Sequence, residues 1–211
     1  MRLNREAIPF VVEGLPFFLP AAAITVLFAV WWNVYLFFPF LALTLFLCSF
    51  FRKPRRRIPE GRGLILSPAD GRIVTVKKGP RGRGMQVSIF MSVFNCHVNR
   101  APLAGTIKEI RYQPGRFLPA DRGEASRVNE HNAFRLQSLE GITVRFVQVA
   151  GILARRIVCY VHAGDRVRRG EIVGTILFGS RVDCYLPRGV TVQARVGERV
   201  KGGKSVLGVI R

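Results

Sequence analysis

Three side chains in this sequence could supply nucleophilic and acid–base chemistry: Ser180 in TILFGSRVDCYLP, His97 in FNCHVNRAP and Asp70 in SPADGRI. A histidine can take and return a proton near neutral pH, and a serine hydroxyl beside such a base can act as a nucleophile. Each residue also has a structural interpretation, because a Gly-Ser pair is typical of a bulge and an Asp before a glycine is typical of a turn. An ordinary serine hydrolase is not favoured, since the G-x-S-x-G motif is missing around Ser180.

The chain has four cysteines, which are Cys48, Cys96, Cys159 and Cys184. Their spacing contains no Cys-x-x-Cys pair and no Cys/His ligand pattern, so neither a zinc site nor a disulfide framework is expected. Reduced thiols that behave as small buried hydrophobes fit a domain facing the cytoplasm. We therefore expect no metal ion.

A long apolar segment comes first: from Gly14 to Phe51 the chain has no Asp, Glu, Lys, Arg or His. Because this segment is much longer than one membrane crossing requires, it predicts two spans of about 18 residues with a turn near Trp31–Val34. Basic residues flank both outer ends, which places both termini in the cytoplasm by the positive-inside rule. A shallow re-entrant hairpin is the alternative topology.

The charge balance is strongly basic, with 33 Lys and Arg against 13 Asp and Glu and a net charge of +20. Such a charge suits either nucleic acid or an anionic membrane surface. The basic residues cluster only beside the apolar segment, which favours the membrane surface and argues against nucleic acid. The expected location is the cell membrane, with the folded domain on the cytoplasmic side.

After Pro59 the sequence consists of short β-branched runs separated by Gly and Pro, which predicts an all-β sandwich or barrel. Two internal repeats accompany these runs. One pairs GDRVRRGEIVGTI (164–176) with GERVKGGKSVLGVI (197–210), and the other pairs SPADGRI (67–73) with APLAGTI (101–107). Each repeat predicts a tight turn that leads into a strand.

The repeats resemble the hammerhead turns of biotinyl and lipoyl carrier domains, which belong to the barrel-sandwich hybrids. A carrier requires a modifiable lysine at a hairpin tip, and no such tip occurs here. The expected fold is therefore mainly β, with a barrel-sandwich-hybrid-like domain over 58–211 and a two-helix membrane hairpin over 1–57.

Five motifs follow one another along the chain, namely FFRKP (50–54), SPADG (67–71), HVNR (97–100), RVNEHN (127–132) and the Gly179–Ser180 pair. As a set they resemble phosphatidylserine decarboxylase of the short (archaeal-type) form, and the resemblance covers essentially the whole chain. It implies a pyruvoyl-dependent lyase that converts phosphatidylserine to phosphatidylethanolamine.

The resemblance further implies that the Ser180 hydroxyl attacks the carbonyl of Gly179. The chain then splits into a large chain (1–179) and a small chain (180–211), and Ser180 becomes a pyruvoyl group that forms a Schiff base with the lipid amine. Among Ser, Thr and Cys, only serine yields a pyruvoyl, and the preceding glycine gives the attacking oxygen room. Neither a metal nor a diffusible cofactor is implied.

Asp70 and His97 match an Asp and a His of this family that act with the serine. Longer bacterial members carry a second His where this chain has Arg100, so the resemblance leaves open whether His97 serves cleavage, decarboxylation or both. Arg100 and Arg181 are predicted contacts of the lipid phosphate or carboxylate, because the guanidinium fork suits both groups.

A function of a different class is also considered: a non-enzymatic, membrane-anchored adaptor with a hybrid-fold domain. It explains the repeats and the apolar segment but gives no role to the Gly179–Ser180 pair, Asp70 and His97. The sequence leaves open whether the protein forms a homodimer.

Overall fold

The computed structural model describes residues 9–82, 84–116, 128–151, 156–177 and 180–210. The chain divides into two units, which comprise residues 1–55 and 56–211.

The first unit is a pair of apolar helices, α1 (Leu15–Val30) and α2 (Val34–Phe50). The side-chain oxygen of Asn33 caps the start of α2 by accepting a hydrogen bond of 3.2 Å from the backbone N–H of Leu36. The two helices pack together, and the hydroxyls of Thr25 and Thr44 lie 3.0 Å apart between them. The predicted two-helix arrangement is confirmed, with its turn at the predicted place.

Within the described residues, one helical stretch, Val12–Val30, is long and apolar enough to cross a membrane. The second helix, Val34–Phe50, is apolar but shorter, at 17 residues. These lengths and compositions are compatible with membrane association.

The described part of the second unit forms fourteen strands: β1 (Leu64–Leu66), β2 (Gly71–Lys78), β3 (Met85–Met91), β4 (Val98–Arg100), β5 (Gly105–Gln113), β6 (His131–Gln137), β7 (Thr143–Ala150), β8 (Arg156–Cys159), β9 (Arg166–Val167), β10 (Ile172–Leu177), β11 (Ser180–Leu186), β12 (Val190–Val192), β13 (Arg199–Val200) and β14 (Val206–Ile210).

These strands make three antiparallel sheets. The largest has the order β13-β2-β3-β11-β7-β6-β5-β9, and the two smaller sheets have the orders β1-β14-β12 and β4-β10-β8. A single buried cluster takes side chains from all three sheets, for example Ile65 of β1, Ile176 of β10 and Val182 of β11. Phe134 and Phe146 stack within it at 4.6 Å. The predicted mainly β, sandwich-like fold with an apolar helical pair at the N-terminus is confirmed.

The longer sequence repeat is a structural repeat. Each copy is a two-residue strand, a turn and a longer strand, which are β9 with β10 in one copy and β13 with β14 in the other. The short strands β9 and β13 form the opposite edges of the large sheet. Each turn contains a glycine at positive φ, Gly170 at 77° and Gly203 at 72°. Because glycine adopts this conformation without steric cost, the turn is readable from the sequence.

The shorter sequence repeat is also a structural repeat. The backbone N–H of Leu66 donates to the carbonyl of Pro102, and the N–H of Arg100 donates to the carbonyl of Pro68, both at 2.8 Å. A Cβ at Gly71 would lie 2.2 Å from the carbonyl oxygen of Phe90, and a Cβ at Gly105 would lie 2.1 Å from a carbonyl oxygen of β6. Glycine is therefore required in both copies, because the neighbouring strand comes too close for a side chain.

Candidate active site

The strand register brings two of the predicted site residues to one end of the large sheet. Ser180 begins β11 and pairs with Met91, the last residue of β3, on one side and with Ala150, the last residue of β7, on the other. Asp70 directly precedes β2, which is the next strand beyond β3. Neighbouring strands lie about 4.8 Å apart, so the backbones of Ser180 and Asp70 are about 10 Å apart at this end of the sheet.

Ser180 is completely buried, with 0% of its surface exposed. Its side chain lies on the core face of β11, together with Val182 and Cys184. The Ser180 Oγ donates to the Sδ of Met91 at 3.4 Å. Gly179, the predicted partner in cleavage, lies outside the described residues.

His97 immediately precedes β4 and is 2% exposed. Its carbonyl accepts from the backbone N–H of Ile176 at 3.2 Å and from the hydroxyl of Thr175 at 3.0 Å. These bonds hold His97 beside the end of β10, from which the chain runs to Ser180. The ring Nδ1 lies 3.0 Å from the carbonyl oxygen of Asn95. Because a carbonyl can only accept, Nδ1 carries the hydrogen in the neutral ring and Nε2 is the nitrogen that can take a proton.

Both oxygens of Asp70 are bound within the second unit. Oδ2 accepts from the Nη2 of Arg56 at 2.6 Å, and Oδ1 accepts from the backbone N–H of Gly202 at 2.7 Å. Arg56 and Asp70 precede the predicted cleavage point and Gly202 follows it. The Asp70 carboxylate therefore joins segments that would belong to different chains after cleavage.

The two arginines predicted to contact the lipid both bond to protein groups. The Nη1 of Arg100 donates to the carbonyl of Gly170 at 2.8 Å. Arg181 lies on the face of β11 opposite Ser180, where its Nε donates to Asp183 at 2.7 Å and its Nη2 donates to Ser88 at 2.8 Å. The side chains of this ion pair are 3% and 1% exposed. Lipid contact by Arg100 or Arg181 stays a prediction.

Two further groups on the large sheet have altered acidities. Burial, and next the charge of Asp183, raises the pKa of the Cys184 thiol to about 12. Cys184 therefore stays protonated near neutral pH and is a poor nucleophile, although it shares a face with Ser180. Desolvation, followed by the Glu130 carboxylate to which the phenol donates, raises the pKa of Tyr112. Within the described residues, no group of three or more His, Cys, Asp or Glu side chains could hold a metal ion.

Sequence reasoning missed Met91, which accepts from the Ser180 hydroxyl, and three buried amides that are linked to it, namely Asn99, Gln148 and Asn132. The clearest signal is Gln148, which stands inside the apolar run RFVQVAG and alternates with Phe146. That alternation places Gln148 on the core face of β7, where it is 0% exposed.

Comparisons with a family model and with individual proteins identify the same family. The chain matches the family model described as phosphatidylserine decarboxylase over residues 43–208. The phosphatidylserine decarboxylase proenzyme of Desulfotalea psychrophila is 42% identical over 208 residues, which cover 96% of this chain and 97% of that protein. The proenzyme of Syntrophus aciditrophicus is 44% identical over 203 residues, covering 93% and 95%. That of Geotalea uraniireducens is 41% identical over 213 residues, covering 99% and 100%.

Proposed function

The chain belongs to the phosphatidylserine decarboxylase family, and we propose that it converts phosphatidylserine to phosphatidylethanolamine with a pyruvoyl group made from its own Ser180. The observation that carries this proposal is the position of Ser180, which is buried at the first residue of a central strand. Neither a non-enzymatic adaptor nor a serine hydrolase is supported by the family.

The strand pairings around Ser180 would hold the two chains together after cleavage. β11 pairs along its length with β3 and β7, and both of these strands precede the cleavage point. β13 and β14 pair with β2 and β1. The small chain (180–211) would therefore remain within the sheets of the large chain (1–179) after cleavage, because the paired strands keep their hydrogen bonds.

The cleavage uses only groups of the chain and one water molecule. The Ser180 Oγ bonds to the Gly179 carbonyl carbon as its proton passes to a base, and the C–N bond breaks as the nitrogen takes up a proton, which leaves an ester. Removal of the Cα proton of Ser180 then expels the Gly179 carboxylate and leaves a dehydroalanine. Its imine tautomer takes up one water and loses ammonia, which leaves a pyruvoyl group at the new N-terminus.

We assign His97 as the base for this cleavage, with Nε2 as the nitrogen that receives the proton. Asp70 acts in the same step as the acid–base partner of His97, and its carboxylate also holds the segment at Gly202 against β2. The same imidazole would return a proton to the product carbon, since His97 is held next to the chain that leads to Ser180.

In the mature enzyme the pyruvoyl carbonyl supplies the electron-withdrawing group that decarboxylation of an amino acid requires. The substrate is a membrane lipid, and the apolar helices together with the basic flanks fit attachment to an anionic bilayer. We therefore propose residues 1–57 as the membrane hairpin and 58–211 as the decarboxylase domain on the cytoplasmic side of the cell membrane.

Intact-mass spectrometry of the purified protein tests this function. We expect two chains, with the smaller one beginning at residue 180 as a pyruvoyl without an N-terminal amine. Ser180→Ala should stay a single chain and should not release phosphatidylethanolamine from phosphatidylserine vesicles. Ser138→Ala, in the turn between β6 and β7, is the matched control and should split normally. A single intact chain with unmodified Ser180 that still decarboxylates the lipid would disprove the proposal.

A further inference from the structure

A chain of buried amides runs from the core face of the large sheet to a strand of a smaller sheet. The Nδ2 of Asn132 on β6 donates to the Oε1 of Gln148 on β7 at 3.4 Å. The Nε2 of Gln148 donates to the Oδ1 of Asn99 on β4 at 2.8 Å. All three residues are at most 3% exposed. A Cβ at Gly174 would lie 3.0 Å from the Gln148 nitrogen, so glycine leaves room for this bond.

The amide chain ends on the sulfur of Met91, which the Nδ2 of Asn99 approaches to 3.8 Å. A thioether sulfur only accepts hydrogen bonds. It therefore fixes the orientation of the Asn99 amide, which must present its nitrogen to Met91 and its oxygen to Gln148. The sulfur thus sets the direction of hydrogen bonding along the whole chain.

The same sulfur is the acceptor for the Ser180 hydroxyl, at 3.4 Å. Met91 pairs directly with Ser180 in the β3–β11 register and is itself 0% exposed. Among the described residues, the hydroxyl that must attack is thus held by one thioether. That thioether in turn accepts from Asn99, which is bonded to Gln148 and, through it, to Asn132.

Building on the proposed cleavage at Gly179–Ser180, we propose that Met91, supported by Asn99 and Gln148, is a positioning residue for the Ser180 hydroxyl in that cleavage. A hydroxyl in a dry core needs an acceptor, and a carboxylate or carbonyl would hold its proton firmly. Sulfur is a weak acceptor, so it fixes the position of the oxygen while the proton remains easy to transfer to a base.

The test removes the sulfur and keeps the shape of the side chain. Norleucine has a methylene in place of the sulfur of methionine, and it can replace methionine during cell-free synthesis. In a Met85→Leu background, the methionine positions that remain are Met1 and Met91. We expect norleucine at position 91 to slow chain splitting by about threefold to tenfold, because a weak hydrogen bond is lost while packing is kept. Selenomethionine at the same position should restore the rate, since selenium also accepts.

Met85→Leu with methionine at position 91 is the matched control. Met85 lies on the same strand, packs against the same core and pairs with Leu186, at the far end of β11 from Ser180. This control should split at the rate of the unsubstituted chain. Splitting that is equally fast with norleucine would overturn the role of Met91.

Different results would disprove the proposed function and the proposed role of Met91. If Ser180→Ala still splits, the proposed function is wrong. If Ser180→Ala stays intact and the norleucine chain splits at the rate of the methionine chain, only the role of Met91 is wrong.

Discussion

The two copies of the internal repeat have the same backbone arrangement and differ at one position beside the candidate site. In both copies a glycine at positive φ donates its N–H to the turn of the shorter motif: Gly203 to Ser67 at 2.8 Å, and Gly170 to Ala101 at 2.9 Å. The copy that contains Ser67 has Asp70, and the copy that contains Ala101 has the exposed Ala104 at the matching position. Residues that repeat therefore serve the fold, and the residue that departs from the repeat lies at the end of the sheet with Ser180.

The largest effect should come from the position that differs between the copies. Asp70→Asn keeps the shape and the bond from Gly202 but removes the charge, and we expect chain splitting to slow by about 100-fold or more, which is typical of a lost acid–base partner. A gel-based time course after cell-free synthesis measures the rate. Ala104→Asp, at the matching position of the second copy, should leave splitting unchanged. Equal rates for Asp70→Asn and the unsubstituted chain would show that the difference between the copies has no function.

The next effect should be equal in the two copies, because it concerns residues that repeat. Gly71→Ala and Gly105→Ala each place a Cβ within 2.2 Å of a backbone oxygen. Each should lower the free energy of unfolding by about 3 kcal/mol or more, since a strand must shift. Denaturant unfolding in a Ser180→Ala background measures this on an uncleaved chain. Strongly unequal losses would show that the two copies are not equivalent.

A smaller effect is expected at the turn glycines. Gly170→Ala and Gly203→Ala should each cost about 1 to 2 kcal/mol, because an L side chain is disfavoured at their positive φ. A Cβ would also lie 2.3 Å from Ile58 or 2.8 Å from Arg100, respectively, so a neighbouring side chain must move. The same unfolding measurement applies. Gly164→Ala offers a comparison, since its φ is also positive but a Cβ there would meet nothing within 4 Å. If Gly164→Ala lowered the free energy of unfolding more than Gly170→Ala, close packing around the turn glycines would not be the source of the cost.

The smallest effect concerns the arginine that binds Asp70. Arg56→Gln should slow splitting by about twofold to fivefold, because the carboxylate keeps its bond from Gly202 and the ion pair is partly exposed, with side chains 14% and 13% accessible. Arg57→Gln alters the exposed neighbouring residue and should split normally. If both variants slow splitting equally, the general basic charge matters rather than the contact with Asp70.

Much of the fold could be predicted because its signals are local. The helical pair follows from an uncharged apolar segment, and the repeated turns follow from glycines that have little choice of conformation. Ser180 could be singled out because the Gly-Ser pair interrupts an apolar strand pattern and stands among four other ordered motifs.

Other parts of the site could not be predicted, because they depend on which strands become neighbours. Arg181 reads as an exposed cation available to a lipid, yet it is buried against Asp183 and Ser88. Strand alternation places Arg181 on the face opposite Ser180, but the identity of Ser88 as a partner follows only from the β3–β11 register.

The sequence alone determined the strand content, the apolar helices and the repeats, and it singled out Ser180 as the proposed reacting serine, since each depends on neighbouring residues in the chain. Only the tertiary structure decided what surrounds that serine. Met91, Asn99 and Gln148 come from three different strands, and Gln148 is far from the other two in sequence. Burial makes their hydrogen bonds obligatory, because a polar group without a partner is costly in a dry core.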